Sequence, residues 1–384
     1  MILTLNPFTQ PTPTVDPVGP ETELSNLASD LYIEGHTQRA LLIAEKALKI
    51  ARTVPTLINL SVILEALERF DEALPYAAEA NRLNPKDDRA AGLYGEALLR
   101  KGDMARGWPL YLQNRNTRSQ MKDFIPEWEG PHQFLEGKRL LVIEGEGYGD
   151  QFYFLRWLAT LKGWGAKVSY ICQPTLAPLI KQMGFHALEN WGGNVDFRWD
   201  DYDYHTSILT LPWKLGVTFE NYKWAGPYIK VKKRPWWKRD KSNFLRVGIC
   251  PLAGEGMSPR RTRSMHASQL QVMLNSLDPC HEWVNLHPSY ILPFTVDHPP
   301  LNNWLDTAKA ISTCDFIVSV DTGVAHLGAA MGILTYVILP GASAWQYSIH
   351  REDHPFYPSM KMFRNNGDGM DNSVKAVCVH LAKL

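Results

Sequence analysis

The sequence predicts an all-α helical repeat followed by two Rossmann-like α/β halves. Three observations predict it. A helical pattern recurs at Gly35, Glu68 and Gly102, with spacings of 33 and 34 residues. From Lys138, and again from Arg246, short apolar strands alternate with helical segments, the mark of parallel sheets. Between those two runs lies KVKKRPWWKRDKSN (230–243), charged and broken by proline, which reads as a linker. The expected division is a tail over 1–20, helical repeats over 21–118, a first α/β half over 119–229, the linker over 230–243 and a second α/β half over 244–384.

The tail is rich in Pro and Thr and has neither a basic start nor a sustained apolar run, so it does not read as a secretory signal. After it, LYIEGHTQRAL, ALERFDEAL and LLRKGDMARGW align on their turns, and Ala40, Ala73 and Gly107 each follow a turn by five residues. Small residues at that offset let the two helices of a pair approach closely, as in tetratricopeptide arrays. Such a repeat serves either as a concave surface for a partner or as a packing platform for the downstream domain.

In the first α/β run, Leu140–Ile143 reads as a strand, EGEGYGD (144–150) as a glycine-rich turn, and Phe152, Phe154, Leu155 and Leu158 as the apolar face of a helix ended by Gly165. Lys167–Cys172 is the next strand, completing a βαβ unit. In the second run, RVGIC is a strand and SMHASQLQVMLNSL a helix opened by Ser264. Then come strand WVNLH, helix LDTAKAISTC, strand DFIVSV, helix GVAHLGAAMG and strand LTYVILPG. The uncharged stretch Gly323–Trp345 is long enough to span a bilayer. It holds His326, Pro340 and several glycines and changes period partway, so a buried helix–strand pair is expected instead.

Composition narrows the function. The 384 residues carry 40 Lys+Arg and 40 Asp+Glu, a balance that argues against a non-specific nucleic-acid binder. Apolar residues at 45% exclude wholesale disorder. Five cysteines lie far apart, so there is no Cys-x-x-Cys pair, and they read as reduced thiols of a cytoplasmic protein.

Three turns can carry chemistry. Asp150 stands where the first helix begins, as a helix cap or as a catalytic base. The glycines 145, 147 and 149 are wrongly spaced for a dinucleotide, and the turn is acidic, so no nicotinamide or flavin is expected. Asp321-Thr322-Gly323 follows a buried strand and opens a helix, where free N–H groups and the helix dipole favour a phosphate. Arg260, Arg261 and Arg263 cluster after the strand RVGIC and can clamp phosphates or lie solvated on the surface. Asp201-x-Asp203 is a weak metal signal, and His326 on an apolar helix reads more readily as a core histidine than as a ligand.

These motifs, in order, resemble bacterial tetratricopeptide-repeat glycosyltransferases. The α/β part is similar to the ADP-heptose:lipopolysaccharide heptosyltransferases and, in domain plan, to O-linked N-acetylglucosamine transferase. The matching segments are GWPLYLQNRN (107–116), EWEGPHQFLEGKRLLVIEGEGYGDQFYFLR (127–156), DYDYHTSILTLPWKLG (201–216), RVGICPLAG with RTRSM (246–265), LDTAKAISTCDFIVSVDTGVAHLGAAMG (305–332) and HREDHPFYPSMKMFR (350–364). The family often has Gln where Glu146 stands and Leu-Gln-Lys where Leu286-His287-Pro288 stands.

The resemblance implies a GT-B fold and a glycosyltransferase. The sugar would come from a nucleotide diphosphate sugar as co-substrate, with inversion and without a cofactor or metal. Asp150 would be the base. Arg263, Ser264, Asp321, Thr322, Gly323 and His326 would face the donor, and Gly149, Gln151 and His205 the acceptor or the cleft. The acceptor is a glycan, a protein or a nucleic acid, and a protein partner at the repeats is compatible with all three. Two rival expectations are a non-catalytic scaffold with a degenerate transferase half, and a transferase acting on modified nucleobases in DNA.

Overall fold

The structure is a computed structural model and describes residues 19–113, 124–231, 245–254, 263–276, 278, 281–292, 296–348, 351–364 and 370–383. Most of the expected tail and linker, with Arg260, Arg261 and Cys280, lies outside the described residues.

The chain opens with antiparallel helix pairs: α1 (Pro20–Ile33) with α2 (Thr37–Ile50), α3 (Val54–Ala66) with α4 (Phe70–Leu83), and α5 (Asp88–Arg100) with α6 (Met104–Gln113). Each pair turns at the residue that the period singles out. Gly35, Glu68 and Gly102 have φ of 88°, 62° and 88°, the left-handed backbone that reverses a chain after a helix. Ala40 and Ala73 are buried between helices, and a Cβ on Gly107 would stand 2.8 Å from the Leu99 side chain. Thr53 and Asp87 cap α3 and α5 by accepting from the N–H groups of Thr56 and Ala90.

Helices α5 and α6 cross closely at Gly95 of α5. A Cβ there would stand 2.8 Å from both the Leu110 carbonyl carbon and the Tyr111 Cα of α6, which are backbone and cannot turn aside. Alanine is the better helix former by about 1 kcal/mol. Overpacking at about 1–3 kcal/mol outweighs that gain. Gly95→Ala is expected to lower the melting temperature, and an unchanged or raised one would contradict the close crossing of α5 and α6.

The first sheet carries β1 (Arg139–Ile143), β2 (Lys167–Cys172), β3 (His186–Glu189) and β4 (Tyr204–Ser207) in the order β3-β2-β1-β4, all parallel. Helix α7 (Tyr148–Gly163) makes the crossover from β1 to β2, and Gly165 at φ 83° turns the chain back. Short helices α8 (Ala177–Gln182) and α9 (Leu211–Lys214) follow β2 and β4. Asp203 is not placed as a metal ligand. Its carboxylate accepts from the Arg139 backbone N–H at 2.7 Å and pairs with the Arg139 side chain, tying the start of β4 to that of β1.

The second sheet has the order β6-β5-β7-β8-β10-β9. Its strands are β5 (Arg246–Cys250), β6 (Glu282–Asn285), β7 (Phe316–Val320), β8 (Leu334–Leu339), β9 (Asp353–His354) and β10 (Tyr357–Arg364). All run parallel except β9, which lies antiparallel to β10 at the edge. Helices α10 (Ala267–Leu274), α11 (Trp304–Ile311), α12 (Gly323–Ala330) and α13 (Asp371–Leu381) cover it. Helix α10 starts later than expected, after His266, whose backbone N–H donates to Gln269 Oε1. The uncharged stretch is the buried helix α12 and strand β8, as its change of period predicts. Among the described residues no helix is long and apolar enough to cross a membrane.

One apolar core runs from Trp108 and Tyr111 of α6 through α7 to α12 and one face of the second sheet. Arg156 of α7 sits in that core. Its guanidinium donates to the carbonyls of Tyr153 and Phe356 and to the Tyr222 hydroxyl, at 2.7–2.8 Å. Tyr357 and Tyr153 present ring faces at 4.4 and 5.0 Å. Because Phe356 belongs to the second half, this one side chain fastens the two halves together.

Candidate active site

Two strand-to-helix turns meet where the halves join, one after β1 and one after β7. Parallel sheets place binding groups at such carboxyl ends. A Cβ on Gly149 would stand 3.0 Å from His326 Cδ2 and 3.9 Å from the Gly323 backbone nitrogen. Glycine at 149 is therefore what lets the start of α7 approach the start of α12.

Asp150 lies in the first turn of α7, past the N-cap Gly147. Its Oδ1 accepts from Gln346 Nε2 at 2.7 Å, a hydrogen bond across 196 residues of sequence. Across the junction, α12 is capped by Thr322, whose hydroxyl accepts from the Ala325 N–H and bonds to Ser319. The cap is thus Thr322 and not Asp321. The Asp321 carboxylate accepts from Tyr347 Oη at 2.6 Å and from Arg263 Nη1 at 3.2 Å. Thr322, Gly323 and Arg263 keep partial exposure, while Asp321 is buried.

His326 fixes the proton order of this group. The Tyr347 hydroxyl donates its hydrogen bond to Asp321, so at 3.0 Å His326 Nε2 donates to the Tyr347 oxygen. Nδ1 is then a lone-pair acceptor, buried and without a partner among the described residues. Burial, opposed by the Asp321 charge and reinforced by Arg156 and Arg263, pushes the His326 pKa down to about 4. Burial and the neighbouring His326 push His354 well below its ordinary value. Both imidazoles are neutral in the folded chain near pH 7.

The unfolded chain therefore takes up protons that the folded one refuses as pH falls through the usual histidine range. Stability is full above about pH 6.5 and declines toward pH 4, with His326 alone accounting for on the order of 3 kcal/mol. Denaturant midpoints at about pH 7.5 and pH 4.5 check this. Equal midpoints would contradict two neutral buried histidines.

The expected site residues divide. Gly149, Asp150, Arg263, Asp321, Thr322, Gly323 and His326 come together at the junction. Ser264 lies nearby but holds the loop after β5, accepting from the Ala253 N–H at 3.0 Å. Two expectations need correction. Gln151 is wholly buried, donates to the Glu146 carbonyl and accepts from Tyr170 Oη at 2.9 Å inside the first half. His205 is buried in β4, and its Nδ1 donates to the Ile125 carbonyl.

Sequence reasoning missed Gln346, Tyr347, His354 and Arg364. The latter two fall in the segment 350–364 that carries the family resemblance, but no role marks them there. Buried Cys250, beside Thr322, has its thiol pushed up to about 11, so it is an unreactive wall. Among the described residues no group of three or more His, Cys, Asp or Glu is arranged to hold a metal.

No family model matches the chain. The chain is 24% identical to Protein FlbA of Caulobacter vibrioides, over 69% of this chain and 50% of that one. It thus spans about half the length of the curated relative it matches. Among solved structures it is similar to a glycosyl transferase family 9 protein of Veillonella parvula, 12% identical, covering 61% of this chain and 87% of that one, with a TM-score of 0.42. It is also similar to an O-GlcNAc transferase of Thermobaculum terrenum, 11% identical, covering 95% and 86%, with a TM-score of 0.24.

Proposed function

We propose that the chain is an inverting, metal-independent glycosyltransferase that uses a nucleotide diphosphate sugar. One observation carries the reading: a carboxylate on one half, Asp150, stands opposite a helix start and a guanidinium on the other, Thr322–Gly323 and Arg263. Asp150 takes the proton from an acceptor hydroxyl. The freed oxygen bonds to the anomeric carbon from the face opposite the leaving group. The bond from that carbon to the diphosphate breaks, and its electron pair leaves with the diphosphate. The helix N-terminus and Arg263 receive the charge that develops. Arg263 spends one hydrogen on Asp321, and a guanidinium has five to give. The junction of the halves brings acceptor and donor into line and limits water.

The test is thermal stability of the purified chain against UDP, GDP, ADP, CDP and dTDP, with and without EDTA. A ligand at 100 times its Kd stabilises by about 2.7 kcal/mol. For a chain of this size that corresponds to a rise of roughly 2–4 °C. One nucleotide is expected to raise the melting temperature, with EDTA making no difference. No rise with any of the five would contradict the donor reading, and a rise abolished by EDTA would contradict metal independence.

A further inference from the structure

Between β8 and β9 the chain runs through Gly341–Ser348, and this segment touches all three parts of the molecule. The Trp345 ring lies edge-on to Trp108 and Tyr111 of α6, at 5.0 and 5.8 Å, and to Tyr153 of α7 at 6.0 Å. The Glu68 carboxylate, at the second turn of the repeat, fills the space where a Cβ on Gly341 would stand. Arg364 of β10 holds the other side, donating from Nη1 to Ser343 Oγ at 2.7 Å and from Nη2 to the Tyr347 carbonyl. Ser348 closes the turn with φ 55°, a left-handed backbone uncommon outside glycine. Within this clamp, consecutive residues serve the two sides of the candidate site. Gln346 donates to Asp150, and Tyr347 donates to Asp321.

We propose that this turn is a lever through which the helical repeat aims the candidate base, with Trp345 seated by α6 and Gln346 acting as the positioning residue for Asp150. The inference rests on the reading of Asp150 as that base. Gln346 is buried, and residues 345–347 form a single tight 3₁₀ turn, so a displacement of Trp345 is carried to its neighbour. A base misplaced by a fraction of an ångström loses turnover without losing affinity for the donor. The repeat therefore belongs to the catalytic unit and is more than a platform beside it.

Three variants of the full chain test this: Gln346→Met, Tyr111→Leu and the two combined. A hydrogen bond to a charged group is worth roughly 10–100-fold. Gln346→Met is expected to lower kcat by about that factor. The KM for the donor and the Kd for the nucleoside diphosphate should hold. Tyr111→Leu is expected to lower kcat by a smaller factor, roughly threefold to tenfold, and the combined variant to be no slower than Gln346→Met alone. Tyr111→Phe keeps the ring edge and is expected to restore most of the turnover. Effects that multiply in the combined variant, or that appear in KM instead of kcat, overturn the lever.

An arm independent of turnover reads the Gln346 side-chain amide by NMR in the ¹⁵N-labelled chain, assigned by its loss in Gln346→Met. The signal is expected to move in Tyr111→Leu and in Asp150→Asn. An amide unmoved by Tyr111→Leu overturns the lever whatever the activity. If the parent chain transfers sugar from no nucleotide sugar, the base reading fails, while the amide still decides the mechanical link.

Discussion

On the proposed reading of Asp150 as the base, replacing it by Asn is expected to lower the rate of sugar transfer by about 10²–10⁴-fold, the range that positioned general bases supply. The substitution keeps the shape of the side chain and removes the capacity to take a proton. It also turns a charge-assisted hydrogen bond from Gln346 into a neutral one, which is weaker but leaves the packing of α7 on α12 in place. Affinity for the nucleoside diphosphate is expected to hold, because Arg263, Thr322 and Gly323 lie on the other half. Turnover and nucleotide Kd measured on the same preparation separate the two effects. Unchanged turnover would remove Asp150 from the chemistry. Lost binding with lost turnover would mean that the residue holds the halves together instead.

Replacing Arg156 by Met destabilises the chain by about 3 kcal/mol or more. The balance sets opposing effects against each other. Removing a buried charge relieves its desolvation, which is a gain. Against that, the buried Phe356 carbonyl loses its donor, at about 1–3 kcal/mol for a group left unsatisfied, and the Tyr222 hydroxyl and the Tyr153 carbonyl, which keeps its helical bond within α7, each lose one hydrogen bond. The ring faces of Tyr357 and Tyr153 lose a desolvated cation, worth about 2 kcal/mol. The losses win. Arg156→Lys keeps the charge but presents no planar fork, so it falls between the parent chain and Arg156→Met. Near-ultraviolet circular dichroism through thermal unfolding checks this, since the cluster is aromatic. A melting temperature within about a degree of the parent for Arg156→Met would contradict the account.

The repeat was legible because its signal is local and periodic: the left-handed turns fall at the three aligned positions, one of them occupied by Glu68. The strands β1, β2, β5, β6, β7 and β8 were legible as apolar runs bounded by turns. The strands β3, β4, β9 and β10 were not, being short or of mixed polarity at and near the sheet edges. At the site, Asp150, Asp321 and Thr322 stood out because a strand followed at once by a helix marks a binding turn. Gln151 adjoins Asp150 in sequence, but a helix turns about 100° per residue and aims the two side chains differently. Gln346 and Tyr347 carried no local signal at all. Their importance comes from partners 196 and 26 positions away, which only the folded chain brings near.

The seat of Trp345 on α6 also has a consequence for how the chain is made. Helices α5 and α6 leave the ribosome long before the turn that covers them, since 345 − 111 = 234 residues separate Trp345 from Tyr111. At about 5–20 residues per second, their aromatic face waits roughly 10–50 s for its partner. During synthesis the repeat thus stands without the Trp345 ring that covers its Trp108–Tyr111 edge in the finished protein. The contact that joins repeat to turn in the finished protein can form only after strands β1–β8 have been made.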